Sequence, residues 1–235
     1  MLTNILLQGL NVASDTAEAV QEKAGSKGDD LSLMDLIMAG GWVMIPLLIL
    51  SIIAIYIFTE RLLTISKSGK DPSDFFENVK AEVLKGNIDN AIYQCANVNS
   101  PLARMIEKGL QRIGGPMKNI EVAVENVGKI EINRLEKNLS TLATISGAAP
   151  MIGFLGTVIG MIRAFIAIAQ VEGNVSPSLL SKGIYEAMVT TATGLIVGIM
   201  AYIAYNILTS LVQKIIYKLE YRSIEFIDLL QEPSE

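Results

Sequence analysis

Histidine is absent from this chain, and cysteine occurs once, at position 95. The first absence removes the commonest general base, proton relay and metal ligand together. The second excludes disulfides and paired-cysteine motifs, and the helical setting of Cys95 reads as packing. Charge is scarce too: Asp, Glu, Lys and Arg make up 18% of the residues against 51% hydrophobic ones, and the mean hydropathy is +0.43. Aromatics reach only 6%, and no basic cluster is interleaved with them, which argues against nucleic acid as a partner. No phosphate loop occurs, because Gly153 and Gly156 sit inside a hydrophobic helical pattern rather than after a strand. No metal, no cofactor and no catalytic group is expected. The chain does not read as an enzyme.

What is present is length without charge. The stretches 36–59, 138–162 and 187–213 contain no Asp, Glu, Lys or Arg, and each has at least 24 residues. At about 1.5 Å per residue each suffices to cross a hydrocarbon core of about 30 Å. The fold class that follows is an all-α membrane protein with three transmembrane helices, two of them extended into a cytoplasmic helical domain. Of the 19 Lys and Arg, 12 lie between positions 61 and 137, and Lys214, Lys218 and Arg222 follow the third run. Positive charge marks the cytoplasmic side. The expected order is therefore a periplasmic N-terminal segment and linker (1–35), a first span (36–60), a cytoplasmic helical domain (61–137), a second span (138–169), a periplasmic loop (170–176), a third span (177–213) and a cytoplasmic tail (214–235). Leu2, Ile5, Leu6 and Leu10 recur at helical spacing without a basic stretch before them. That pattern predicts an amphipathic segment at the outer interface rather than a cleaved signal.

The polar part of the chain is helical throughout. Asp71, Pro72 or Ser73 caps a helix that Gly86 ends, and 87–96 reads as a second short helix. Ser100-Pro101 supplies a cap followed by a proline at the first helical position, opening a helix that stops at Gly114-Gly115. From Pro116 the apolar stripe Val124, Val127, Leu135, Leu139 and Leu142 runs on without a second proline. One uninterrupted helix is predicted to enter the second span, and the third span is predicted to leave the membrane in the same way.

The second span has an unusual surface. On a helix, Ser146, Pro150, Gly153, Thr157, Gly160 and Ala164 share one face at three-, four- and seven-residue steps. Lipid does not select for such a smooth stripe, whereas close helix contact or a pore does. In the third span Ala187, Thr191, Gly194, Gly198, Tyr202 and Tyr205 form a matching face. Thr157 lies 12 residues from Ala169, and Thr191 lies 14 from Pro177. Both hydroxyls therefore sit about 18–21 Å from the outer ends of their helices, where they could line one path. In the other reading each bonds back to a carbonyl of its own helix. Glu186 is the one carboxylate near the spans, and a charge at that depth is functional by default. It stands about 140° around the helix from Thr191, so it points to a neighbouring helix or subunit. Arg163 is its candidate counter-charge, or else an interfacial arginine. A lumen lined by hydroxyls alone lacks a group that titrates, so either Glu186 titrates or a second polypeptide inserts an Asp or Glu.

Two runs carry a specific likeness. Ala149-Pro-Met-Ile-Gly-Phe-Leu-Gly-Thr-Val-Ile-Gly-Met-Ile162 and Gly183-Ile-Tyr-Glu-Ala-Met-Val-Thr-Thr-Ala-Thr-Gly-Leu195 resemble the signature of the MotA/TolQ/ExbB proton-channel family. The region from Pro46 to Leu62, with Ser51 and Glu60-Arg61, is similar to its first span, and Gly86-Asn-Ile-Asp-Asn-Ala to a cytoplasmic helix. Three spans with one large cytoplasmic loop match the ExbB/TolQ branch. The resemblance implies a homopentamer in the bacterial inner membrane, N-terminus periplasmic and C-terminus cytoplasmic. A single-span ExbD- or TolR-like partner would occupy its central pore and carry protons on an Asp, using the proton motive force to drive an envelope process. It implies pore-lining roles for Thr157 and Thr191 and a proton-path role for Glu186. Pro150, Gly153, Gly160, Ala187, Gly194 and Gly198 are expected as the small residues of the pore wall. Arg163 departs from the neutral residue of some relatives. A structural scaffold that assembles a complex without passing ions is the alternative.

Overall fold

A computed structural model describes residues 40–69, 74–170 and 177–231. The N-terminal segment, the 71–73 cap and the loop after Gln170 lie outside the described residues. The chain divides into two units, Met1–Gly41 and Trp42–Glu235, and the architecture that follows is that of the second. Its helices are α1 (Met44–Ser68), α2 (Phe75–Leu84), α3 (Ile88–Asn97), α4 (Pro101–Leu110), α5 (Met117–Leu135), α6 (Leu139–Ala169) and α7 (Pro177–Gln231). No strand occurs among the described residues. Three stretches, Gly41–Ser68, Met117–Ala169 and Gly183–Gln231, are long and apolar enough to cross a membrane. The chain is an all-α, multi-pass membrane protein.

Local chemistry accounts for most boundaries. The Ser100 hydroxyl accepts the Ala103 N–H at 3.1 Å, and Pro101 opens α4 behind it. Gly86, at φ +77°, takes the left-handed conformation that releases the chain after α2. α7 runs unbroken for 55 residues, a rod of about 80 Å. Its length exceeds any hydrocarbon core, so it belongs to both the apolar bundle and the polar domain.

The predicted continuous helix from Pro116 is interrupted. α5 ends at Leu135 and α6 begins after Asn138, whose φ of 64° is left-handed. The turn is closed by Glu136 N–H to Ile132 O, Leu139 N–H to Glu136 O and Leu142 N–H to Asn138 O. Arg61, 5% exposed, donates from Nη1 to Arg134 O at 3.3 Å, so α1 supplies a partner for a carbonyl at the end of α5. Glu60 holds the same guanidinium through a 3.0 Å bond from Nε. Periodicity could not show this break, because the apolar stripe resumes in phase after it. Asparagine is one of the few residues that visits the left-handed region easily. Asn138→Gly should therefore leave the melting temperature in detergent nearly unchanged. Asn138→Val should cost about 1–2 kcal/mol, and equal melting of the two variants would exclude this account of the break.

One continuous core runs from the apolar bundle into the polar domain. α6 and α7 form the most extensive helix pair, and α1 packs on both. In the polar domain α4 lies against α5 and α7, with Ile106, Leu110, Val124 and Phe226 fully or nearly buried. A Cβ on Gly109 would lie 2.6 Å from the Phe226 ring and 2.8 Å from Val124, so this glycine sets the approach of α4 to α7. Glu131, 3% exposed, is bound by Arg104 at 3.0 and 2.6 Å and by Arg134 at 2.6 Å. The arginines themselves are 34% and 65% exposed, so solvent screens the cluster and its net contribution to stability is modest. Cys95 is buried, and desolvation pushes its thiol up to about 12, as fits a packing residue.

Candidate functional site

The small residues of both spans meet in one antiparallel seam. Gly160 faces Ala187, Gly156 faces Thr190, Gly153 faces Gly194 and Pro150 faces Gly198. A Cβ on Gly194 would lie 2.7 Å from Ala149 O and 2.8 Å from Gly153 Cα; one on Gly160 would lie 2.9 Å from the Ala187 Cβ. The two backbones are thus nearly in contact over about four turns, as small residues at helix interfaces allow. Gly153, Gly160, Ala187, Gly194 and Gly198 are buried in this seam, and Pro150 is half-buried. Within one chain their visible role is to set helix spacing. They do not present an open face.

The hydroxyls sit at the margin of the seam. Thr157 is partly exposed and donates to Phe154 O of its own helix at 2.6 Å. Thr191 is also partly exposed but donates across the seam to Gly153 O at 3.0 Å. Because Gly156 faces Thr190, the neighbouring Thr157 stands at the level of Thr190 and Thr191. The helix register therefore puts Thr157 and Thr191 at one depth. The backbone-bonded geometry does describe Thr157, while Thr191 ties α7 to α6.

Glu186 lies one helical turn before Thr190. Its Oε1 is 3.2 Å from Arg163 Nη1, and the two side chains are 24% and 51% exposed. The pair joins the two helices on the flank of the seam, near its Gly160–Ala187 end. Each charge offsets the cost of the other in an apolar surrounding, where an unpaired one is expensive. No group of three His, Cys, Asp or Glu suited to a metal ion occurs among the described residues.

Sequence reasoning missed three members of the seam. Thr190, 1% exposed, fills the space over Gly156, and its hydroxyl donates to Ala187 O at 2.8 Å. Gly156 and Gly183 are equally tight, with a Cβ on the latter 2.7 Å from that of Ala164. The four-residue step from Gly156 to Gly160 was the available signal, since that spacing is the common helix-contact motif of membranes.

Comparison with known proteins places this seam. The profile of the MotA/TolQ/ExbB proton channel family matches residues 97–221, more than half of the chain. The chain belongs to this family. The match spans α4, α5, α6 and most of α7, so the seam, both threonines, Glu186 and Arg163 all lie within it. The chain is similar to an ExbB homolog in biopolymer transport from Methanothermobacter thermautotrophicus, with 32% identity over 60% of this chain and 50% of the relative. It is similar to the biopolymer transport protein ExbB of Neisseria gonorrhoeae, with 30% identity over 52% of this chain and 61% of that one. It also resembles the Tol-Pal system protein TolQ of Haemophilus influenzae, with 36% identity over 40% and 39% of the two chains. The chain therefore spans less than two thirds of the length of each of these relatives. Outside the family match lie α1, α2 and all but the last residue of α3.

Proposed function

We propose that this chain is a proton-channel subunit of an energy-transducing complex of the bacterial inner membrane, the N-terminus periplasmic and the polar domain cytoplasmic. Copies assemble, most simply as a pentamer, around a pore occupied by a single-span ExbD/TolR-like partner. The observation that carries this reading is the pair of partly exposed threonines at one depth on the margin of a seam too tight to admit anything else. The glycines fix the wall, and the hydroxyls supply polar points that water or a partner helix can meet. Family membership and relatives named for ExbB and TolQ support it.

The titrating group is expected on the partner. Glu186 is already engaged by Arg163 and stands away from Thr191 around the helix, so it serves assembly and coupling at the lumen edge. Glu186→Gln keeps size and hydrogen bonding while removing charge. We expect it to lower proton flux less than tenfold, whereas loss of the partner's intramembrane Asp abolishes flux. Complete loss in the Gln variant, with the partner's carboxylate dispensable, would make Glu186 the carrier. Intact assembly without any flux would favour the scaffold reading. Orientation is tested separately in whole cells after replacement of Cys95. A cysteine at Asn174 should react with an impermeant reagent and one at Lys108 should not; the reverse pattern inverts the topology.

A further inference from the structure

A groove of about 720 Å³ opens between α5 and α7 in the polar domain. Its floor is apolar: Met105 reaches it from α4, Ile132 from α5, and Leu219 and Ile227 from α7. Gly128 lets α5 settle on Met105, since a Cβ there would lie 3.0 Å from Met105 Cε. Ile224 stands on the rim and is 63% exposed, although it lies ten residues beyond Lys214, outside the apolar span. The walls are acidic. Glu121 and Glu125 on α5 and Glu220 and Asp228 on α7 face one cation, Lys129. Glu125 already holds Lys129 at 2.6 Å, and Glu121, Glu220 and Asp228 have no ion-pair partner among the described residues. An apolar floor between acidic walls is the complement of an amphipathic helix with basic flanks.

Position selects the occupant. Lys214 is the first charge after the third span, and Leu219 and Asp228 lie 5 and 14 residues beyond it. Along α7 the groove therefore runs from about 8 to about 21 Å past the end of the span. A chain that crosses the membrane once gathers its Lys and Arg within about 15–20 residues of its cytoplasmic end. As a helix such a flank extends about 22–30 Å, enough to lie along the whole groove. Anionic headgroups are repelled by the same walls. We propose that this groove docks the basic cytoplasmic flank of the single-span partner as an amphipathic helix. Its apolar side lies on Met105, Ile132 and Ile224, and its lysines or arginines meet Glu121, Glu220 and Asp228. The docking rests on the orientation and partner proposed above, and adds where that partner is held outside the membrane.

The test uses the full chain with Cys95 replaced, purified with and without the co-expressed single-span partner and treated with a maleimide. Ser223→Cys, in the groove, should react at least about tenfold more slowly when the partner is present. Tyr93→Cys, on the exposed side of α3, should react equally in both samples. About 1 M salt, which screens charges beyond about 3 Å, should restore the Ser223→Cys rate while the partner stays bound through its span. Deleting the partner's cytoplasmic residues should restore it as well. So should the triple variant Glu121→Gln/Glu220→Gln/Asp228→Asn, whose sites are exposed. Should Ser223→Cys not assemble, Gln231→Cys at the far end of the groove must show the same protection. A cysteine that stays fast with the partner co-purified would overturn the docking and leave the partner reading intact. One that is slow even without the partner would assign the groove to a second copy of this chain, and protection that survives the triple variant would refute the charge complementarity. Failure of the partner to co-purify would overturn the partner reading and the docking with it.

Discussion

Gly194→Val should prevent the α6–α7 pair from forming and leave little assembled protein in the membrane. The added atoms would strike Ala149 O and the Cα of Gly153, which are backbone atoms of the facing helix. No rotamer change can move them aside. Overpacking of a rigid site costs about 1–3 kcal/mol and occasionally more, and here the helix pair itself must separate. The seam is the largest contact in the molecule, so separation removes most of what orders the two spans. Gly147 provides the control, since a Cβ there meets nothing within 4 Å. Gly147→Ala should assemble normally in blue native gels while Gly194→Val does not. Equal assembly of the two would mean that the backbones are not closely apposed.

Thr157→Val and Thr191→Val should act in the opposite manner, sparing assembly and removing proton flux. Valine reproduces the shape of threonine without the hydroxyl, so the margin keeps its contour. Stability should change little in either case. Thr157 gives up a bond to its own helix, and Thr191 gives up one interhelical bond, worth about 0.6 kcal/mol in membrane proteins. Loss of a water-bonding point is a larger matter for conduction, because a proton relay stops at its missing link. A double variant that assembles and transduces normally would return both threonines to plain backbone bonding.

The sequence was most legible where one residue type decides a local outcome. Runs without charge defined the three apolar helices, and the Ser100-Pro101 start of α4 was readable because hydroxyl and ring each have one good place at a helix N-terminus. The extension of α7 followed from an apolar stripe that continues beyond Lys214. Less could be read where outcomes depend on a facing element. The break at Asn138 has no Gly or Pro, and its stability draws on Arg61 from a helix some 70 residues away in sequence. The choice of Thr190 for the interior and Thr191 for the margin is similar. Adjacent threonines differ by about 100° on a helix, and only the position of Gly156 opposite decides which is buried. Small-residue faces also served packing and a pore equally well on paper. It took the position of the second helix to show that the glycines lie between the helices and the hydroxyls beside them.

The central claim is that protons pass along the margin where Thr157 and Thr191 stand level, with the titrating carboxylate brought by a partner helix. Proton uptake into liposomes containing the purified complex, driven by a potassium diffusion potential and read by an entrapped pH dye, tests it most directly. The account predicts uptake by the complex, none when the partner's carboxylate is removed, and none by the Thr157→Val/Thr191→Val variant at unchanged complex mass. Uptake by the double variant equal to that of the unaltered complex, or uptake by this subunit with no acidic partner helix present, would contradict it.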